Sequence, residues 1–182
     1  GVNINGDGSY PSGQTLQTLT TAIQSTYNTD ISLATETNGD VFGSDTSTNF
    51  VNATVSLLTD GNDTETLTSA SDIIVTLNGT DNVNAGGGND KVLGGSGVDT
   101  FDGQAGNDHL YGFRGNDILT GGDGNDKIVG GLGNDSISGG AGNDTILANA
   151  GIDTVTSGSG DDYIDGGLGD DVITIDGTGN KT

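Results

Sequence analysis

Aspartate recurs at a fixed step of nine residues, at Asp63, Asp72, Asp81, Asp90, Asp99, Asp108, Asp117, Asp126, Asp135, Asp144, Asp153, Asp162 and Asp171. Hard oxygen donors repeated at constant spacing are equipment for holding a hard cation, and they are not a nucleophile or a redox centre. Two residues before each aspartate stands a glycine, as in Gly79, Gly106, Gly124 and Gly160, with Ala70 the one exception. Two residues after it stands a large apolar residue, among them Ile74, Val83, Phe101, Leu119, Ile146 and Ile173, and here Glu65 is the misfit.

These spacings say which elements must position the carboxylates. Each unit reads as a glycine-rich hexapeptide that can turn, because glycine accepts positive φ, followed by a three-residue strand. Neighbours in a strand point to opposite faces, so the central apolar residue faces inward while Lys91, His109, Lys127, Ser136 and Thr154 face out. One apolar residue per unit is then the whole core. Stacking such units at the strand spacing of about 4.8 Å brings successive carboxylates close enough to repel by about 3 kcal/mol per pair at an effective dielectric near 20. A divalent cation between them removes the repulsion. Calcium suits such a site, since it takes six to eight oxygen ligands and tolerates irregular geometry, whereas Mg²⁺ demands a tight octahedron and Zn²⁺ prefers His or Cys. The expectation is a chain unfolded without calcium and ordered with it.

The stretches "GGDGNDKIV" (121–129), "GGLGNDSIS" (130–138) and "GGAGNDTIL" (139–147) resemble the nonapeptide GGxGxDxUx of the RTX (repeats-in-toxin, hemolysin-type) proteins, where U is a large aliphatic residue. Good copies run from about 85 to 174, and degenerate ones extend the register back to about 58. The resemblance implies an all-β fold, a right-handed parallel β-roll in which two nonapeptides make one turn and calcium sits between loops 18 residues apart. Carried onto this chain, one site would use the side chains of Asp126 and Asp144 with carbonyls of Gly122, Gly124, Gly139 and Ala141. Another would use Asp117 and Asp135 with carbonyls of Phe113, Gly115, Gly130 and Leu132. Equivalent pairs are Asp81/Asp99, Asp90/Asp108, Asp99/Asp117, Asp108/Asp126, Asp135/Asp153 and Asp144/Asp162, eight in all, so roughly eight ions are implied. The same loop positions elsewhere add Gly86, Gly88, Gly95, Gly97, Gly103, Ala105, Gly106, Gly112, Gly121, Gly131, Gly133, Gly140 and Gly142. Three loops depart from the pattern: Phe113 and Gln104 replace the second glycine, and "ANAGID" (148–153) lacks both leading glycines. Carbonyls rather than side chains would ligate there, so these sites are expected to survive.

Composition narrows the function. Only 30% of the 182 residues are hydrophobic and 4% aromatic, 35 are glycine, and the net charge of −22 excludes nucleic acid as a natural partner and favours cations. Cysteine is absent, so neither disulfides nor thiolate metal sites exist. No apolar run approaches the roughly 18 residues of a membrane helix, so no membrane insertion is expected, and "GVNINGDGSY" does not resemble a signal peptide. The absent initiator Met points to a processed or excised segment, and "ITIDGTGNKT" lacks the long flank that RTX proteins commonly place after their repeats.

Three segments are expected: a Thr-, Ser- and Asn-rich cap or linker over 1–57, the β-roll over 58–176 and a tail over 177–182. Within the first, Leu16, Leu19, Ile23 and Tyr27 share a face at helical spacing, while "ISLATE", "DVFG" and "FVNATVSLL" read as strands. "NINGDG" (3–8) partly matches an EF-hand opening, but Gln14 stands at the position of the essential Glu, so a plain turn is preferred.

Catalytic equipment is not found. The single histidine, His109, sits at an outward strand position, Asp161 beside Asp162 merely fills the variable position of a repeat, and Arg114 and Lys127 relieve local negative charge. The "GGxG" strings lie in a field of aspartates that would repel phosphate. Two classes remain. One is a calcium-binding structural module of a secreted or cell-surface protein of surface-layer or adhesin type, with type I export from a Gram-negative bacterium implied by the resemblance, and copies of itself or a surface polysaccharide as partners. The other is the carrier portion of an exported RTX enzyme or toxin whose active domain lies outside this chain.

Overall fold

An aliphatic residue at every ninth position, separated by glycine-rich turns, favours short extended segments that must share their apolar side chains with neighbours. The computed structural model of the chain describes residues 55–182, where such segments form fourteen strands. The odd ones are β1 (Val55–Leu57), β3 (Ile73–Asn78), β5 (Lys91–Ser96), β7 (His109–Arg114), β9 (Lys127–Leu132), β11 (Thr145–Ala150) and β13 (Tyr163–Asp165). The even ones are β2 (Thr64–Thr66), β4 (Asn82–Asn84), β6 (Thr100–Ala105), β8 (Ile118–Asp123), β10 (Ser136–Ala141), β12 (Thr154–Ser159) and β14 (Val172–Thr174). Odd strands neighbour only odd strands in one seven-stranded sheet, and even strands only even ones in the other. Every strand-to-strand pairing is parallel and sets a residue against the one 18 positions on, as Ile128 on Ile146 and Leu119 on Ile137. Two nonapeptides therefore make one turn of a parallel β-solenoid.

The central strands run six residues, not the expected three. Lys127–Leu132 reads KIVGGL and Ser136–Ala141 reads SISGGA, so each strand takes in the glycine pair of the following repeat. The ladder skips the first glycine of the pair and resumes on the second: Ser138 pairs with Thr120, Gly139 has no register partner, and Gly140 pairs with Gly122. The turn thus sits inside the strand, where a residue without a side chain lets the backbone bend and pair again.

Inside, Ile74, Val92, Leu110, Ile128 and Ile146 of the odd sheet and Val83, Phe101, Leu119, Ile137 and Val155 of the even sheet are at most 2% exposed and form one cluster. The core is slightly larger than one residue per unit, because Ala85 and Ala148 join it from the strand position that other repeats give to glycine. The column opens at both ends of the even sheet. Glu65 fills its first place, half-buried with Ser56 Oγ donating to its Oε1 at 3.4 Å, and Ile173 at the last is 41% exposed.

The first strand begins at Val55, ahead of the boundary at 58, and the last residues are hydrogen-bonded to β13 rather than trailing away. The helix expected around Leu16–Tyr27, the strands expected before Val55 and the Asn3–Gln14 loop lie outside the described residues.

Two glycine positions carry the stacking. At Gly124, φ is +140°, and a Cβ there would lie 1.7 Å from the carbonyl oxygen of Gly106 on the preceding rung. At the second glycine of the pair, Gly122, Gly131 and Gly140 take φ of 113°, 128° and 114°. The residues that replace it, Leu77, Gln104, Phe113 and Asn149, take φ of 73°, 71°, 72° and 77° instead. That is the left-handed helical basin, which an L-residue enters for about 1–2 kcal/mol. The departures at Gln104 and Phe113 are therefore absorbed by a shift of one dihedral. Gly124→Ala is expected to destabilise the calcium-loaded fold by about 3 kcal/mol or more. Gln104→Ala should stay within about 1 kcal/mol of the parent, both read by denaturant unfolding.

Candidate metal centre

Each repeat delivers its aspartate at the end of a loop, just before a strand, with the neighbouring rung's aspartate directly alongside. Backbone N–H groups at this corner have no ladder partner, and the carboxylates supply one. Asp108 N donates to Asp126 Oδ1 at 2.8 Å, Asp126 N to Asp144 Oδ1 at 2.9 Å, Asp99 N to Asp117 Oδ1 at 2.9 Å and Asp117 N to Asp135 Oδ1 at 2.9 Å. The chain of bonds is unbroken from Asp63 N on Asp81 to Asp153 N on Asp171. The aspartates of this series from Asp72 to Asp162 are all at most 3% exposed.

That arrangement uses one oxygen of each carboxylate. The other, Oδ2, is buried without a donor at Asp81, Asp90, Asp99, Asp108, Asp117, Asp126, Asp135, Asp144 and Asp153. A buried carboxylate oxygen with no partner is costly, and nine of them in two columns is a strong demand for positive charge. The surroundings are a cradle. A Cβ on Gly121 would meet Asp126 Oδ2 at 2.3 Å and the Gly139 carbonyl oxygen at 2.5 Å; one on Gly112 would meet Asp117 Oδ2 at 2.3 Å and Gly130 O at 2.8 Å; one on Gly103 would meet Asp108 Oδ2 at 2.4 Å and Gly121 O at 2.5 Å. The first glycine of each pair thus leaves open the space between a carboxylate and a carbonyl.

Among the described residues no three acidic, His or Cys side chains converge on a point. Any ion held here would take most of its ligands from carbonyls, and an all-oxygen set fits a hard cation. Of the carbonyls named for this role, those of Ala105, Leu132 and Ala141 already accept one backbone bond each, from Gly88, Gly115 and Gly124 at 2.9, 2.9 and 2.7 Å, which leaves one lone pair free. The carbonyls of Gly130 and Gly139 lie in the same cradles as Asp117 and Asp126.

Loss of water raises the proton affinity of these carboxyls. Burial pushes Asp90 and Asp117 up to about 7 and Asp99, Asp108, Asp135 and Asp144 to about 6, and it raises Asp126 and Asp153 as well. The N–H bond from the preceding rung opposes the shift, and neighbouring carboxylates add to it, as Asp108 and Asp72 do at Asp90.

Asparagine does a job that the sequence reading left blank. The residue before the aspartate caps the rung in the opposite direction: Asn107 N donates to Asn89 Oδ1 at 2.8 Å, Asn125 N to Asn107 Oδ1 at 2.7 Å, Asn143 N to Asn125 Oδ1 at 2.7 Å and Asn134 N to Asn116 Oδ1 at 2.8 Å. Asp161 belongs to this series and not to a free variable position, since its N–H reaches Asn143 Oδ1 at 2.8 Å and its own Oδ1 accepts from Asn180 N at 2.7 Å. The signal was the recurrence of Asn before Asp in the best repeats.

His109 pairs in register with Lys91 and Lys127 on the odd sheet, and both ammonium groups stand 5.9 Å from the centre of the Tyr111 ring. Desolvation first, then Lys91 and Lys127, lower its pKa, so the imidazole is neutral at pH 7 and belongs to a column of outward side chains rather than to the carboxylate cradles.

The model of the RTX calcium-binding nonapeptide repeat matches residues 59–92, 66–101, 93–128, 120–155 and 138–173, together more than half of the chain. The chain belongs to the RTX calcium-binding nonapeptide repeat family. No curated protein matched it. RTX repeats bind calcium, and the buried, half-satisfied aspartate ladder is the feature of this chain that agrees with such binding. The β-roll is a structural calcium-binding fold rather than a catalytic one.

Two outcomes follow from this geometry. The carboxyls hold their protons more tightly in the roll than in the unfolded chain, so the metal-free roll is most stable below the ordinary carboxylate pKa near 4 and loses that stability as pH rises through about 6–7. In chelator, the denaturant midpoint should therefore fall from pH 4 to pH 8; a midpoint that rises over this range would contradict the burial argument. Asn107→Ala removes the acceptor for Asn125 N at the loop surface and should cost about 0.5–1.5 kcal/mol in calcium-loaded unfolding.

Proposed function

We propose that this chain is a calcium-binding structural module of a secreted or cell-surface protein, one that folds when calcium becomes available after export. The observation that supports it is the set of nine buried Oδ2 atoms without a donor, six of which, from Asp99 to Asp144, lie beside a glycine that opens a cradle toward a carbonyl. The Oδ1 atoms order the loops by holding N–H groups of the preceding rung. The Oδ2 atoms are left for the ions, in the eight pairs from Asp81/Asp99 to Asp144/Asp162, with the loop carbonyls completing each set.

Bound calcium supplies divalent charge against stacked carboxylates and accepts the six to eight oxygen ligands that a carbonyl-rich loop offers. The chain's own residues do the rest. Each carboxylate inside a column would serve an ion on either side, so loading one step would pre-order the next, and the roll should assemble cooperatively along its length. A cytosol poor in calcium keeps the carboxylates charged and repelling, which holds the chain extended. Extracellular modules of this chemistry work at roughly 10⁻⁴–10⁻³ M calcium. The outward faces, including Thr and Ser side chains, then present the roll to a surface polymer or to another copy.

Far-UV circular dichroism during a calcium titration from chelator tests this, with magnesium as the control. A cooperative coil-to-β transition with calcium and not with magnesium is the expected result, and a spectrum already β-rich in chelator at pH 8 and unchanged by calcium would overturn it. Asp126→Asn should remove one charged ligand from two adjacent sites, shift the calcium midpoint to higher concentration and lower the Hill slope.

A further inference from the structure

The last residues form an extra rung on the edge where Asp162 stands. Gly160 N donates to Thr178 O at 2.6 Å, Asp162 N to Asn180 O at 2.8 Å, Ile164 N to Thr182 O at 2.7 Å, and Thr182 N returns to Asp162 O at 2.8 Å. One extra residue has been inserted, so that Asp162 bridges Lys181, 19 positions on, where every earlier aspartate faces another 18 positions on. Lys181 therefore occupies the place that the repeat reserves for the next carboxylate.

Its side chain is 8% exposed, and its ammonium lies 2.8 Å from Asp162 Oδ2. The same nitrogen donates to Gly160 O at 2.5 Å and Thr178 O at 3.2 Å. Gly160 precedes its aspartate by two residues and Thr178 precedes Lys181 by three. Gly124 and Ala141 hold those places in the Asp126/Asp144 pair, so the ammonium touches three oxygens equivalent to donors proposed for an ion. Asp162 differs from the nine aspartates before it in having a cation on its second oxygen. Two carbonyls accept hydrogen bonds from the ammonium, and the Asp162 carboxylate meets its charge as an ion pair.

We propose that Lys181 is a tethered cation that stands in for the metal at the last step of this edge and terminates the calcium ladder there. The claim rests on the calcium reading above and adds a residue to it. The tether makes the closing cation intramolecular, so the final rung is closed by the chain itself and needs no further ion. It also neutralises the last carboxylate of the Asp90–Asp162 column.

Two measurements test it. Calcium per chain is counted by native mass spectrometry at saturating calcium for the parent, Lys181→Asp and Lys181→Met. The expected result is one additional ion in Lys181→Asp and none in Lys181→Met; equal counts in the parent and a folded Lys181→Asp would overturn the proposal. Because Lys181→Asp can fail to fold, the second measurement uses the parent chain. An amine-acylating reagent should modify Lys181 of the calcium-loaded protein several-fold more slowly than Lys127, with the difference abolished in denaturant; equal rates in the folded protein would overturn the proposal. A parent chain that binds no calcium while Lys181 stays protected would overturn the calcium reading, and with it the metal-substitute role, while leaving the ion pair itself standing.

Discussion

The structure depends on dividing each aspartate carboxylate into two jobs. One oxygen accepts the N–H of the rung before it, which binds consecutive turns together at the corner where the β-ladder is interrupted. The other is left buried with no donor. Neither job alone explains the column. An asparagine would satisfy the N–H as well as an aspartate, and the chain uses asparagine for that at the neighbouring position. Carboxylates at the inner position make sense when the second oxygen has a cation to meet.

Glycine is the complement of that division. The first residue of the glycine pair leaves room beside Oδ2, and the glycine before Asn-Asp lets one rung's backbone approach the next rung's carbonyl more closely than any Cβ permits. Both constraints concern backbone and carbonyl positions, so they bear on the same oxygens that a hard cation would use. The apolar column is subordinate. Two facing files of Ile, Leu, Val and Phe with two alanines give the sheets an apolar seam, and the charge within the loops decides whether the seam can close.

The same balance explains why the ends differ from the middle. Among the described residues, Glu65 replaces an apolar residue at the first rung of the even sheet and contacts Ser56, and Ile173 at the last is exposed. On the other sheet, an internal lysine meets the final aspartate. A solenoid whose interior is held by repetition has to solve its termini with residues that break the repetition.

Much was legible in the order of residues. A strict nine-residue period of Asp, Gly and aliphatic residues determined the unit of loop and short strand, the inward column and the preference for a hard cation, while the parallel β-roll and its 18-residue turn were implied by the resemblance of the best repeats to the RTX nonapeptide. The sequence could not show which carboxylate oxygen is spent on the backbone, since both are identical until neighbouring rungs are in place. It could not show that strands continue through the glycine pair, or that Gln104 and Phe113 enter the left-handed basin in place of glycine, because both depend on the pitch of the assembled turn. The recurrence of Asn before Asp was legible, but the hydrogen bonds of those asparagines and the position of Lys181 were not, for the same reason. Each is a contact between residues 18 or 19 apart, and only stacking brings them within hydrogen-bond reach.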